Sequence, residues 1–221
     1  MLSEVRFERN VATRIERISS RFLGRPYLEH PLDPEPPNQE PHVESLVVSL
    51  EGFDCVTYIE TVLALALAET SDEFLFNLRA IRYEDGVVAW EKRNHYMVDW
   101  ARNNVERRVL VDMNDAGPVE KTRDLGVIER LPQRRVTFRC FPKQSVADLP
   151  FITTGDLIMF VSTKKNLDVF HTGFIVEAES DLVLRHATRQ KGAVVEESLS
   201  EFLGSQRMSG TMVFKPSKGT I

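Results

Sequence analysis

Cysteine is scarce in this chain: two occur in 221 residues, and neither stands at metal-finger spacing from another Cys or a His. That excludes a disulfide framework and a structural zinc module with closely paired ligands. Long apolar runs are missing too. No stretch approaches the roughly 20 residues that cross a bilayer, and Glu4, Arg6, Glu8 and Arg9 stand where an export leader needs an apolar segment. We expect neither a membrane span nor a leader. Charge of one sign is also lacking: 28 Lys and Arg against 33 Asp and Glu leave −5, interspersed along the chain. Such a balance creates no field for a polyanion, so nucleic acid is not an expected partner.

What is present is enough apolar matter, 42% of residues, to bury a sizeable core. We read 1–221 as a single domain. Leu2, Val5, Ala12, Ile15, Ile18 and Phe22 recur at helical intervals and predict an opening amphipathic helix, stopped by Gly24 and Pro26. Pro31 to Pro41 holds five prolines and reads as an extended connector that completes 1–42, with His30 and His42 facing solvent at its ends. Residues 43–70 start with a short strand or turn over Val43–Leu50. From Val56 to Leu67, apolar residues then fall on every side of a helix, which should be buried all round. Thr70-Ser71-Asp72-Glu73 has the capping-box pattern for the next helix. Residues 71–135 read as a mainly helical insertion.

Over 136–217 the pattern changes to strands at Val136–Phe141, Asp156–Ser162, His171–Glu177, Leu182–Ala187 and Met212–Lys215, with a short helix over Ser198–Leu203. Helices first and strands later predict an α+β fold with an antiparallel sheet, against which the 56–67 helix packs. Cys140, in the first strand, reads as buried and inert; a Cys55–Cys140 bridge is the alternative. Gly155-Asp156 reads as a turn with a solvated Asp, and Asp168 as a surface charge.

Cys55 is the candidate nucleophile. It follows Asp54, a capping residue, so its thiol sits at a helix N-terminus where the dipole favours thiolate. The strands 171–177 and 182–187 are joined by Ala178-Glu179-Ser180-Asp181 and form a hairpin. Placing Glu177 opposite Leu182 sets His186 opposite Gly173 and His171 opposite Thr188, so the two imidazoles share a face as diagonal neighbours roughly 7 Å apart at Cβ. A thiol, a base and a group that orients the base make an acyl-transfer site, with Cys55, His171 and His186 in those roles. Zinc on the same three residues is the alternative.

Gly24-Arg25-Pro26-Tyr27, Phe53-Asp54-Cys55, Gly155-Asp156-Leu157-Ile158, His171-Thr172-Gly173-Phe174 and His186-Ala187 resemble, in order, the landmarks of NlpC-type papain-like cell-wall peptidases. The run from Asp54 to Ala64, together with Asn94-His95-Tyr96-Met97-Val98-Asp99-Trp100, is similar to the N-acetylmuramoyl-L-alanine amidase-like branch of that group. The resemblance spans roughly 20 to 215. It departs from typical NlpC-type enzymes at Val56-Thr57, which stand where Ser-Gly follows the catalytic Cys.

The resemblance implies a papain-like NlpC-type core and a cysteine amidase or peptidase acting on peptidoglycan or a muropeptide, without a cofactor. It implies a second, substrate-binding role for Asp54 and a cleft lined by Tyr27, His95, Tyr96 and Trp100. A structural His95–Asp99 pair is the plainer reading of that last stretch. The bond is either the one between muramic acid and L-Ala or an amide of the stem peptide, as in a gamma-D-glutamyl endopeptidase. An acyltransferase or deamidase on a non-wall substrate, and a catalytically silent binding module, are the other readings. The substrate class implies a periplasmic or extracellular location, with a cytoplasmic one as the alternative; the oligomeric state is not set by these residues.

Overall fold

The computed structural model describes residues 2–32, 44–178 and 181–218. The opening amphipathic segment is two helices rather than one. Helix α1 (Leu2–Val5) ends in a turn, and α2 (Val11–Ser20) restarts at Asn10, whose side chain accepts from the Thr13 N–H. Asn there offers the backbone a local hydrogen bond that a continuing helix would forgo. The stop is as the residues predict: Gly24 takes φ +81°, a conformation a side chain would disfavour. The connector over Pro31 to Pro41 lies, apart from its first two residues, outside the described residues, as does His42; His30 is exposed at its near end. Residues 44–49 take no regular structure and Leu50 lies in a bend, so of the short strand or turn read over Val43–Leu50 no strand forms among the described residues.

Helix α3 (Cys55–Leu67) is buried from Thr57 to Leu67. Its residues are apolar on all sides because α2 and α4 (Ser71–Arg82) pack on it as well as the sheet. Tyr58 closes an edge-to-face aromatic chain, Phe22–Phe53 at 4.9 Å, Phe53–Tyr58 at 5.8 Å and Tyr58–Phe174 at 6.2 Å. The chain ties α3 to a strand of the sheet. Helix α4 opens as read, with Thr70 accepting from Glu73 N–H, although the Glu73 carboxylate answers to the Glu69 N–H rather than to Thr70.

The segment read as a helical insertion is helical only in its first half, through α4 and α5 (Met97–Glu106). Strand β1 (Leu110–Asp112) follows, and β2 (Val119–Leu125) pairs with β3 (Arg134–Cys140) as a separate two-stranded ribbon. Strand β3 is the one read over Val136–Phe141, paired here in the ribbon and not in the main sheet, whereas β2, with only Val119 and Leu125 apolar and Arg123 turned inward to the Ser162 carbonyl, has too little apolar content to announce itself as a strand.

The main sheet runs β1-β8-β4-β5-β6-β7, antiparallel throughout, with β4 (Leu157–Val161), β5 (Val169–Ala178), β6 (Asp181–Thr188), β7 (Ala193–Ser198) and β8 (Gly210–Pro216). Its β4 is buried at all five positions. One face carries Met159, Phe174, Ala187 and Phe214 into the core built with α3. The other carries Phe160, Ile175 and Leu184 against α6 (Leu199–Ser205). Two charges read as surface groups are buried instead. Asp156 takes the Thr153 N–H and Lys215 Nζ, and Asp168 accepts from Val98 N–H at the start of α5. Each supplies the partner that a buried carboxylate needs.

Candidate active site

Asp54 builds the thiol's position. Its Oδ1 accepts from Val56 N–H at 3.1 Å and Thr57 N–H at 2.7 Å, while Thr57 Oγ1 accepts from Asp54 N–H at 3.0 Å, a reciprocal cap. Thr57 therefore has a structural task in the very place where the resemblance departs from Ser-Gly. Cys55 is the first residue of α3 and is half-buried, and its sulfur meets the backbone N–H of Thr172, one residue beyond His171 on β5.

The charge state differs from that expected of a helix N-terminus. Burial, followed by the neighbouring Asp54 carboxylate, pushes the Cys55 thiol up to about 12, against the amides of Cys55, Thr172 and Val56 that favour thiolate. Desolvation outweighs the dipole, so the resting group is a neutral thiol. Alkylation of Cys55 by iodoacetamide, followed by mass spectrometry across pH, is expected to accelerate on the alkaline side of the ordinary thiol value near 8.5. A rate that levels off below pH 7 would show a preformed thiolate instead.

The hairpin has the register read from the sequence, Glu177 opposite Leu182 and Phe174 opposite Arg185. It brings the two histidines together: His171 Nε2 and His186 Nδ1 are hydrogen-bonded, with ring centroids 4.7 Å apart at near-perpendicular tilt. Gly173 makes room for this, since a Cβ there would stand 2.8 Å from the His186 Cβ. Phe160 stacks along His171, and Phe202 of α6 lies against both rings. Burial within that aromatic wall, with His186 as a second contributor, lowers the His171 imidazole to about 3; burial alone lowers His186 to about 4. Both rings are neutral at rest.

Tyr27 joins the site through a bridge of its backbone with Phe53, and burial, then the Cys55 and Asp54 charges, pushes its phenol up to about 12. His95 also reaches the neighbourhood, lining with Asp54, His30 and Arg93 a cavity of about 160 Å³. Its ring lies against Trp90 at 4.2 Å, tilted by 48°, and shares a hydrogen bond with the Trp90 carbonyl. The pairing read for Asp99 is different: it meets Arg102 and Arg134, and His95 precedes α5 rather than lying on it.

Tyr96 and Trp100 are not cleft walls. Tyr96 is 2% exposed and its hydroxyl accepts from the Val127 and Ile128 N–H groups, while Trp100 is fully buried and donates to Glu60. Glu197 escaped the sequence reading altogether; of its strand, Ala193 to Ser198, only the β-branched pair Val194-Val195 gives a local strand signal. The two cysteines are free, and among the described residues no group of three or more His, Cys, Asp and Glu side chains converges as a metal-ligand set, Cys55, His171 and His186 included. No helix among the described residues is long and apolar enough to cross a membrane.

A crystallised N-acetylmuramoyl-L-alanine amidase from Bacteroides uniformis superposes with a TM-score of 0.82 at 26% identity, covering 94% of this chain and 99% of that one. A Bacteroides fragilis protein carrying a provisional xylanase name superposes at 0.79 and 26% identity over 90% and 99% of the two chains. A Legionella pneumophila protein shares the fold at 0.78 and 24% identity over 93% and 89%. No curated protein matches the chain. A family model described as AmiA-like, N-acetylmuramoyl-L-alanine amidase-like, matches residues 17–212. The chain thus belongs to the N-acetylmuramoyl-L-alanine amidase-like family.

Proposed function

We propose that this chain is a cysteine amidase with an NlpC-type papain-like core, cutting the amide between muramic acid and L-Ala in bacterial peptidoglycan, in the periplasm or outside the cell. The observation that carries it is the meeting of the α3 N-terminus with β5, where the Cys55 thiol abuts the residue after His171 and His171 is bonded to His186. Family membership supports the substrate class.

In this reading the Cys55 proton passes to His171 as the sulfur attacks the amide carbonyl, so thiolate forms only as it is consumed. The developing oxyanion is met by backbone N–H, with Cys55's own amide the donor at the helix start. The tetrahedral adduct collapses to a thioester as His171 returns the proton to the departing L-Ala nitrogen. Water, deprotonated by His171, then releases the muramoyl carboxylate and restores the thiol. Asp54 holds the helix start in place while Tyr27 closes the thiol's other side.

Mass spectrometry of fragments released from purified peptidoglycan tests this directly. Free stem peptides beginning at L-Ala are expected. Fragments cut after the second stem residue would replace the amidase by an endopeptidase, and turnover only with an amine acceptor or a Gln-containing protein would move the reaction off the wall.

A further inference from the structure

The two-histidine chain does not end at His186. On β7, Val195 stands opposite His186, so Glu197, two residues on, shares its face of the sheet as a diagonal neighbour. Glu197 Oε1 lies 2.7 Å from His186 Nε2, and the histidine side chain is fully buried while the glutamate is 26% exposed. In the resting geometry the oxygen stands off the N–H axis, so the contact is electrostatic. The terminal torsion of a glutamate is soft enough for a rotation to align it.

We propose that Glu197 is a positioning residue that sets the proton arrangement of the whole chain, acting through His186 and not on substrate; this rests on the cysteine amidase reading. The reasoning is one of donors and acceptors. An ionised carboxylate only accepts, so the ring nitrogen facing it, His186 Nε2, carries the hydrogen. Neutral His186 then has a bare Nδ1, which accepts from His171 Nε2–H. That leaves His171 with its lone pair on Nδ1, the one nitrogen not engaged by His186. The thiol proton is therefore taken at Nδ1, and the resulting imidazolium is held by the His186 lone pair, itself polarised by Glu197.

The arrangement depends on the carboxylate because, among the described residues, nothing else facing His186 selects a tautomer: Phe202 from α6 presents an aromatic ring, and His171 from β5 can donate or accept at Nε2. Arg185, its neighbour in sequence, points to the opposite face, where it is held by Glu16, Ser19 and Glu196. Gln at 197 would keep the shape and offer both a carbonyl acceptor and an amide N–H donor, so the choice of tautomer would no longer be forced.

Long-range proton–nitrogen NMR of histidine-labelled protein reads this without any turnover. Wild type is expected to show both rings protonated at Nε2 and bare at Nδ1. Glu197→Gln is expected to show mixed tautomers, and to lower kcat on a soluble muropeptide about 10- to 100-fold with KM changed less than about twofold. A wild-type His171 protonated at Nδ1 overturns the proposal even if the variant fails to fold. So does a folded Glu197→Gln with wild-type spectra and kcat, given an inactive Cys55→Ala control. An active Cys55→Ala instead overturns the cysteine amidase reading, and the tautomer assignment stands or falls separately on the spectra.

Discussion

Cys55→Ala is expected to lower turnover of peptidoglycan by about ten-thousand-fold or more, with His171→Ala losing a comparable amount and the double variant scarcely worse than either alone. The expectation follows from the roles proposed. A thiol whose burial favours the protonated form cannot attack without a base, and without the thiol the base has no thioester for its water to open. Either removal closes the same covalent route. Residual activity then reflects only binding and backbone N–H donors. The substitution at 55 removes one sulfur from a half-buried position at a helix start, so the fold should survive; Asp54 still caps α3 through Val56 and Thr57. Single-turnover assays with unfolding curves on the same samples separate the two effects. Losses that multiply in the double variant would show that the residues act independently, which the acyl-transfer scheme does not allow.

The largest effect on stability is expected from Glu60→Ala, about 3–5 kcal/mol by urea unfolding. Glu60 sits inside α3, 2% exposed, with Oε2 2.7 Å from Arg82 Nε on α4 and Oε1 accepting from the Trp100 indole on α5 at 3.1 Å. Burial raises the carboxyl while Arg82 opposes the rise. Arg82 Nη1 in turn donates to the Val47 carbonyl at 2.6 Å, holding the irregular segment ahead of the thiol. Removing Glu60 strands a cation that is itself 2% exposed. The damage is in the unpaired partner rather than the lost attraction, so replacing both residues with apolar ones of similar volume is expected to recover much of the loss. A single-variant change under about 1 kcal/mol would mean the pair is hydrated, and that this junction of three helices is not what fixes α3.

Much of the scaffold was legible in the chain because its signals are local. Asp54 before an apolar run marks a helix start through hydrogen bonds to residues two and three away. Period-two alternation with a short polar turn set the hairpin register that joins His171 to His186. Ordered landmarks from Tyr27 to His186 pointed to the amidase-like family that the match over 17–212 supports. Of the β2–β3 ribbon only β3 was legible, as the strand read over Val136–Phe141; β2 was missed because its alternation is of charge and exposure with little apolar content, and strand pairing is a non-local event.

Other matters were decided only when the chain closed on itself. Tyr96 and Trp100 belong to the motif stretch, yet both turn inward, because the Val127–Ile128 amides and the Glu60 carboxylate that satisfy their polar tips are distant in sequence. Glu197 meets His186 only through the pairing of β6 with β7. By itself the sequence determined where helices begin, how one hairpin aligns and which thiol and imidazoles are available. The tertiary structure alone decided their charge: the dipole that favours a Cys55 thiolate is a property of one helix turn, whereas the desolvation that overrides it is made by residues brought from elsewhere in the chain.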